Sequence, residues 1–248
     1  MKVLITGTSR GIGRACAMKY LAEGHEVIGL DLCGSTIQQE QARYSHYVAD
    51  ITGPLPEIGG VQILVNNAGV SMRAMFKDLD LKVIHTLMDV NFWGTVYCTK
   101  YALPWLLKSK GSVVGIVSIA GFSALPARTG YSASKYAIRG FLDTLRIEHL
   151  KDGLNVLVYA PGYTSSMVRR NALTADGSAQ GETPLDESKL MSAEVVAAKL
   201  AKALYHRRSQ VTLSFLGRLT VYAHRRFPRF TDRMTYRYIA REPNSPFN

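Results

Sequence analysis

Several short stretches of this chain are apolar at almost every position: KVLIT from Lys2, EVIGLD from Glu26, QILVNNAG from Gln62, GSVVGIV from Gly111 and LNVLVYAPG from Leu154. A strand with one face in water alternates apolar with polar residues, whereas a strand that is apolar throughout has both faces covered. Helical patterns lie between these runs: Ile12 to Glu23, two that meet near Asn91 within Leu79 to Lys108, Tyr131 to Leu150, and Ala193 to His206. Tyr47 to Asp50 and Gln210 to Phe215 are expected as further strands. Strands alternating with helices predict an α/β fold, a doubly wound parallel sheet with helices on both faces. Ligands of such sheets bind beyond the carboxyl ends of the strands, near the point where strand order reverses. The residues that follow each strand are therefore where chemistry is expected.

The length of 248 residues and a hydrophobic fraction of 47% suit one large domain with a buried core. MKVLITG at the start is a strand pattern, not the basic, apolar and small-residue order of a signal peptide. The longest uncharged run, Gly111 to Ala127, is short for a bilayer span and is broken by glycines and Pro126. Three widely spaced cysteines, Cys16, Cys33 and Cys98, read as reduced thiols, so a cytoplasmic protein is expected. The six histidines show no ligand spacing, and no metal is expected. The formal charge of +11 is uneven: up to residue 206 there are 21 basic and 17 acidic side chains, and beyond it 9 and 2.

After the first strand comes TGTSRGIG, which places Gly7, Gly11 and Gly13 in a turn that opens a helix. Glycines let the backbone turn tightly and approach a pyrophosphate, and the helix N-terminus then offers N–H groups and a positive dipole end. Asp31 ends the next strand, 18 residues after Gly13, where a carboxylate can accept from both ribose hydroxyls of an adenosine. Ser9, Arg10 and Ile12 lie in the same turn and are counted as cofactor contacts with it. The same stretch also reads as GxSxG, a hydrolase nucleophile elbow with Ser9 as nucleophile and His206 or His224 as partner. That reading is weaker, because the elbow normally follows several strands and this serine follows the first.

Glycine turn, Asp31, NNAG, an asparagine, a serine and YSASK occur in this order, each at a strand end or on a helix face. With them the chain resembles the short-chain dehydrogenase/reductase family from Lys2 to about Phe215. The resemblance implies a Rossmann-like catalytic domain over 1–215 that binds a nicotinamide cofactor. It implies that Gly7, Gly11 and Gly13 cradle the pyrophosphate, that Asp31 takes the adenine ribose, and that Asp50 and Ile51 lie against the adenine. Asn66, Asn67, Ala68 and Gly69 would support the cofactor and the central sheet. Pro161 and Gly162 would shape the nicotinamide end, with Thr164 near the carboxamide. Asn91, Ser118, Tyr131 and Lys135 would form the catalytic tetrad. Residues four apart share a helix face, so Lys135 can lie near Tyr131. A phenol of pKa about 10 is a poor base at neutral pH, and nearby positive charge favours phenolate; a shift of ~3 units takes ~4 kcal/mol. Tyr131 is then expected to exchange a proton with the substrate oxygen, Lys135 to hold the nicotinamide ribose, Ser118 to orient the substrate, and Asn91 to hold a water that relays protons to Lys135.

Asp31 would repel a 2′-phosphate, whereas Arg10 could meet one; the fixed carboxylate favours NAD, with NADP as the alternative. Ser118, Phe122, Tyr131, Tyr163 and Met167 are the candidate substrate contacts, followed in sequence by the apolar Leu125 and Pro126. They suit a hydrophobic secondary alcohol or ketone, steroid-like, fatty acyl or aromatic; a 3-oxoacyl-type reductase using NADPH is the nearest alternative. Residues 216–248 form a basic helical extension in which Phe230, Met234 and Tyr238 run beside Arg229, Arg233, Arg237 and Arg241. Such a segment can pack on the domain, lie on an anionic membrane surface, or cover the substrate mouth. It also admits a different class of reading, a non-catalytic dinucleotide-binding or membrane-associated protein acting through its tail. A homo-oligomer is expected, a dimer rather than the family's usual tetramer, and nucleic acid is not expected as a partner.

Overall fold

The computed structural model describes residues 1–37, 42–164, 167–181, 190–242 and 245–247. Its centre is a seven-stranded parallel sheet in the order β3-β2-β1-β4-β5-β6-β7. The strands are β1 (Lys2–Thr6), β2 (Glu26–Asp31), β3 (Tyr44–Val48), β4 (Ile63–Asn66), β5 (Ser112–Ile116), β6 (Asn155–Ala160) and β7 (Gln210–Thr212). Order reverses between β1 and β4, which places the switch point beside the glycine turn. Helices α1 (Gly11–Ala22), α2 (Leu81–Leu87), α3 (Gly94–Ser109), α4 (Thr129–Glu148) and α5 (Ala193–Tyr205) connect the strands, and α6 (Phe215–Arg226) and α7 (Pro228–Ala240) follow β7.

The apolar runs are explained by two cores. Val3, Ile5, Leu157 and Tyr159 face a core shared with α1 and α5. Their neighbours Leu4, Val156, Val158 and Ala160 face the opposite core, under α3 and α4. Successive side chains point to opposite faces, and here both faces are dry. Each such buried aliphatic side chain contributes about 1.5–3 kcal/mol. In α4 the stripe Tyr131, Lys135, Ile138, Leu142, Leu145 follows four-three spacing, and all but Tyr131 are fully buried. Lys135 therefore occupies a position where the helix pattern calls for an apolar side chain.

Two strand boundaries differ from the sequence expectation. β3 begins at Tyr44 and ends at Val48, pairing Tyr44 with Val27 and Val48 with Asp31. It is an edge strand, and polar Ser45 and His46 hide it from a search for apolar runs. β7 ends at Thr212, because the Ser214 hydroxyl accepts from Gly217 N at 2.9 Å and starts α6 at Phe215. The two helical patterns that meet near Asn91 are α2 and α3, joined by a π-helical turn over Met88–Trp93. Such wide turns are frequent at functional sites.

Candidate active site

One cleft of about 420 Å³ runs along the carboxyl ends of the strands. At its first end the backbone is held by a small set of bonds. Thr6 Oγ1, at the end of β1, accepts from Asn67 N at 3.0 Å and Ala68 N at 2.9 Å. The Asn67 side-chain amide donates to Thr6 O at 2.9 Å and Gly7 O at 3.1 Å. These bonds tie the glycine turn to the end of β4 across the switch point. Gly7 has a φ of +74° and Gly11 of +55°, which favour glycine. A Cβ at Gly13 would lie 2.0 Å from Gly7 O, so only glycine lets α1 approach the turn this closely. α1 has no side-chain cap, and Gly11 and Ile12 line the cleft, so its free N–H groups open onto it. An uncapped helix end behind a glycine cradle fits a pyrophosphate.

Asp31 closes this end. Its Oδ2 accepts from Ser9 N at 2.8 Å and its Oδ1 from Cys33 N at 3.0 Å. Both oxygens are fixed, and each keeps a lone pair for a ligand hydroxyl. Arg10 is exposed on the rim, with Nη2 3.6 Å from Cys33 Sγ. Asp50, Ile51, Asn67, Ala68 and Gly69 also line the cleft.

At the middle of the cleft stand Ser118, Tyr131 and Lys135. Ser118 follows β5, where its Oγ accepts from Ala120 N at 3.2 Å and starts a short 3-10 turn. The Ser118 hydroxyl lies close enough to the Tyr131 phenol to favour its charged form. Lys135 Nζ donates to Ile116 O at 2.9 Å and lies 5.7 Å from the centre of the Tyr131 ring. Burial lowers the Lys135 pKa to about 8. Burial also raises the Tyr131 pKa, against smaller opposing effects of the Ser118 hydrogen bond and the Arg128 charge. From the sequence, a phenol acidified by Lys135 together with a cationic nicotinamide is expected; among the protein's own groups, desolvation outweighs the surrounding charge.

Asn91 is fully buried and does not line the cleft. Its Oδ1 accepts from Val70 N at 2.8 Å, and its Nδ2 donates to Val70 O at 3.0 Å and Ser134 Oγ at 2.9 Å. The side-chain amide clamps the Val70 segment against α4. Three further expectations of cleft contact are corrected. Ser9 is 4% exposed, and its hydroxyl is engaged by Cys33 O and Gly34 O at 3.1 and 3.0 Å; it shapes the turn, and this removes the hydrolase reading. Gly13 acts through packing behind the cleft. Phe122 points into the core under α4, with the Arg139 guanidinium 4.2 Å above its ring.

The remaining end is lined by Pro161, Gly162, Tyr163, Thr164 and Met167. Within the mixed loop between Tyr163 and Leu190, positions 165–166 and 182–189 lie outside the described residues. Arg73, Arg128, Ile239 and Glu242 also line this end, and the sequence reading missed all four. Arg73 Nη2 meets Glu242 Oε2 at 3.2 Å, with side chains 9% and 10% exposed. The carboxyl-terminal extension thus reaches over the cleft mouth. Its helices otherwise project: Phe230, Met234 and Tyr238 are 62%, 48% and 53% exposed, and α7 buries only Thr231 and Ile239. Arg128 had one legible signal, a cation at the N-cap of α4, where the helix dipole disfavours positive charge.

Comparisons with known proteins agree with this geometry. A family model described as short chain dehydrogenase matches residues 1–176. The rat (Rattus norvegicus) protein "Dehydrogenase/reductase SDR family member 7B" is 32% identical over 260 residues, covering 94% of this chain and 79% of its own. A short chain dehydrogenase from Burkholderia cenocepacia, solved in complex with NADP, superimposes with a TM-score of 0.79 at 19% identity, covering 94% of this chain and 96% of its own. A 4-hydroxyisoleucine dehydrogenase complexed with NADH gives a TM-score of 0.67 at 20% identity, over 86% and 96%. The chain belongs to the short-chain dehydrogenase/reductase family. It is an oxidoreductase built on a Rossmann-like sheet with a helical carboxyl-terminal extension.

Proposed function

We propose that the protein is an NAD(H)-dependent reductase of a ketone with an apolar body, able to oxidise the corresponding secondary alcohol. The observation that carries this reading is the meeting of a hydroxyl, a phenol and an ammonium, from Ser118, Tyr131 and Lys135, in one cleft whose other end holds Asp31. When bound, a nicotinamide supplies the hydride. The glycine turn and the open end of α1 would hold its pyrophosphate, and Asp31 its adenine ribose. Ser118 orients the substrate carbonyl oxygen. Tyr131, protonated at neutral pH because burial raises its pKa, donates to that oxygen. Lys135 spends one N–H on Ile116 O and keeps two for ribose hydroxyls. Asp31 supports NADH over NADPH, because a 2′-phosphate would be placed against a fixed carboxylate. Titration with both cofactors, followed by nicotinamide fluorescence, tests the preference, and ketone-dependent NADH oxidation tests the reaction. Tighter NADPH binding would overturn the cofactor assignment; no oxidation with any apolar ketone would overturn the reaction.

The exposed face of α6 and α7 supports a second element of the reading, peripheral membrane contact. Phe215, Leu216, Leu219 and Tyr222 are exposed on α6, the helix that also carries Arg218, Arg225 and Arg226. Aromatic and basic side chains together suit an anionic headgroup layer. Co-sedimentation with vesicles containing phosphatidylserine, lost with neutral vesicles, is the expected result. A concentration-dependent dimer with no vesicle binding would assign the face to a second copy instead. The three free cysteines suit a reducing, cytoplasmic setting.

A further inference from the structure

The carboxyl-terminal extension is built into the cleft from both of its ends. Its first turn sits behind the Ser118 turn. The Ser214 hydroxyl that starts α6 lies against Gly162, where a Cβ would be 3.1 Å from Ser214 Oγ. A Cβ at Gly217 would be 2.5 Å from Cδ1 of Ile119, the residue after Ser118. At the far end, Ile239 is 7% exposed and lines the cleft, although Phe230, Met234 and Tyr238 of the same helix stand in solvent. Such a helix is seated by a few contacts at its end rather than by a broad apolar face. Glu242 N donates to Ile239 O at 3.1 Å, so both residues belong to the turn that closes α7. The Glu242 carboxylate meets Arg73 at 3.2 Å. Arg73 is itself fixed beside the approach to α4: its N–H donates to Leu173 O at 2.8 Å, and the next N–H, of Ala74, to Ala127 O at 3.1 Å. The preceding residue, Met72, shares an apolar cluster with Tyr131. The ion pair therefore seats the end of α7 at the Tyr131 end of the cleft. These extension residues lie beyond residues 1–176, the part matched by the family model.

We infer that Ile239 is a specificity-determining residue: it forms a wall against which the apolar body of the substrate lies, and the Arg73–Glu242 pair holds that wall closed. The side chain at position 239 then sets the width of the ketone that the cleft accepts. Misfit by about one methylene in an apolar pocket changes discrimination by ~10–200-fold. Ile239 is free to set width because it serves neither the cofactor end nor proton transfer. The selection of a ketone rests on the reductase reading; the wall and its latch do not.

The test separates the two. Turnover of a slim and a broad methyl ketone, 2-octanone and 1-adamantyl methyl ketone, is compared on the full chain. Ile239→Ala should raise the ratio of kcat/KM, adamantyl ketone over octanone, by about tenfold or more, and Ile239→Phe should lower it by a similar factor. A residue that only supports the fold would change both ketones together; an unchanged ratio in both variants would overturn the inference. The wall is tested without turnover by alkylation with iodoacetamide, read position by position from peptide masses. The thiol in Ile239→Cys should react about tenfold or more slowly than that in Met234→Cys, on the exposed part of the same helix. Adding Glu242→Ala should speed the reaction at position 239 and leave that at position 234 unchanged. Equal rates at the two positions, or no acceleration by Glu242→Ala, would overturn the closed wall. If neither ketone is reduced by the wild-type chain, the ketone reading falls and the selection of width with it, while alkylation still decides the wall.

Discussion

At one end of the cleft, Gly7, Asn67 and Asp31 hold a backbone with no room for a methyl group, through bonds among residues at the ends of β1, β2 and β4. At the other end, Arg73, Arg128 and Glu242 are brought together from a loop, a helix start and the carboxyl-terminal extension, and the helices that deliver Glu242 are mostly in solvent. In the proposed reading the first end meets what is constant among cofactors, a pyrophosphate and a ribose, for which rigid backbone geometry suffices. The second end, proposed to meet the substrate, is built from side chains on segments that can change without disturbing the sheet. Between the two stands Lys135, a charge on the core stripe of α4, which the fold tolerates at a cost in stability.

The largest effect should come from breaking the rigid end. Gly13→Ala places a methyl group 2.0 Å from Gly7 O, a backbone atom that cannot move aside. We expect a loss of about 3 kcal/mol or more in thermal unfolding and at least ~100-fold weaker NADH binding. The cost held at the middle is exposed by Lys135→Met. With its native pKa near 8, below that of the unfolded chain, Lys135 opposes folding fully below pH 8. The variant should gain up to ~3 kcal/mol at neutral pH while losing turnover. Its advantage should shrink as pH rises from 8 towards 10, where the native wild-type lysine is neutral; an advantage constant with pH would refute this origin. Asp31→Ser sharpens the comparison by changing selectivity with little change in fold. The NADH-to-NADPH affinity ratio should fall about 10- to 100-fold, or ~1.4–2.8 kcal/mol. The smallest effect belongs to the projecting helices. Leu219→Ser and Tyr222→Ser should change stability by no more than about 0.5 kcal/mol, since both side chains are half exposed or more.

What could be read from the sequence follows the same division. The sheet was legible because strands covered on both faces must be apolar throughout, and the glycine turn because a strand, three glycines and a helix are contiguous. Tyr131 and Lys135 were legible because four residues make one helical turn. The start of β3 was displaced by three residues because an edge strand tolerates Ser45 and His46. Asn91 was found, but not its partners: nothing local tells that its amide clamps Val70 and Ser134. Phe122 was assigned to the substrate because it follows Ser118, yet the 3-10 turn at Ile119–Gly121 directs it into the core. Arg73 and Glu242 were not legible, because their meeting depends on how the extension returns to the cleft. The aromatic stripe of α7 was legible as a pattern and misleading as a packing rule, since Thr231 and Ile239 are the residues it buries.

The proton donor is the point on which the whole account turns. Single-turnover kinetics of Tyr131→Phe with NADH and a ketone substrate, beside a titration of NADH alone, tests it most directly. We predict NADH affinity within about twofold of wild type and a chemical step slowed by about 10²–10⁴-fold. A Tyr131→Phe protein that reduces the ketone at the wild-type rate would contradict the account.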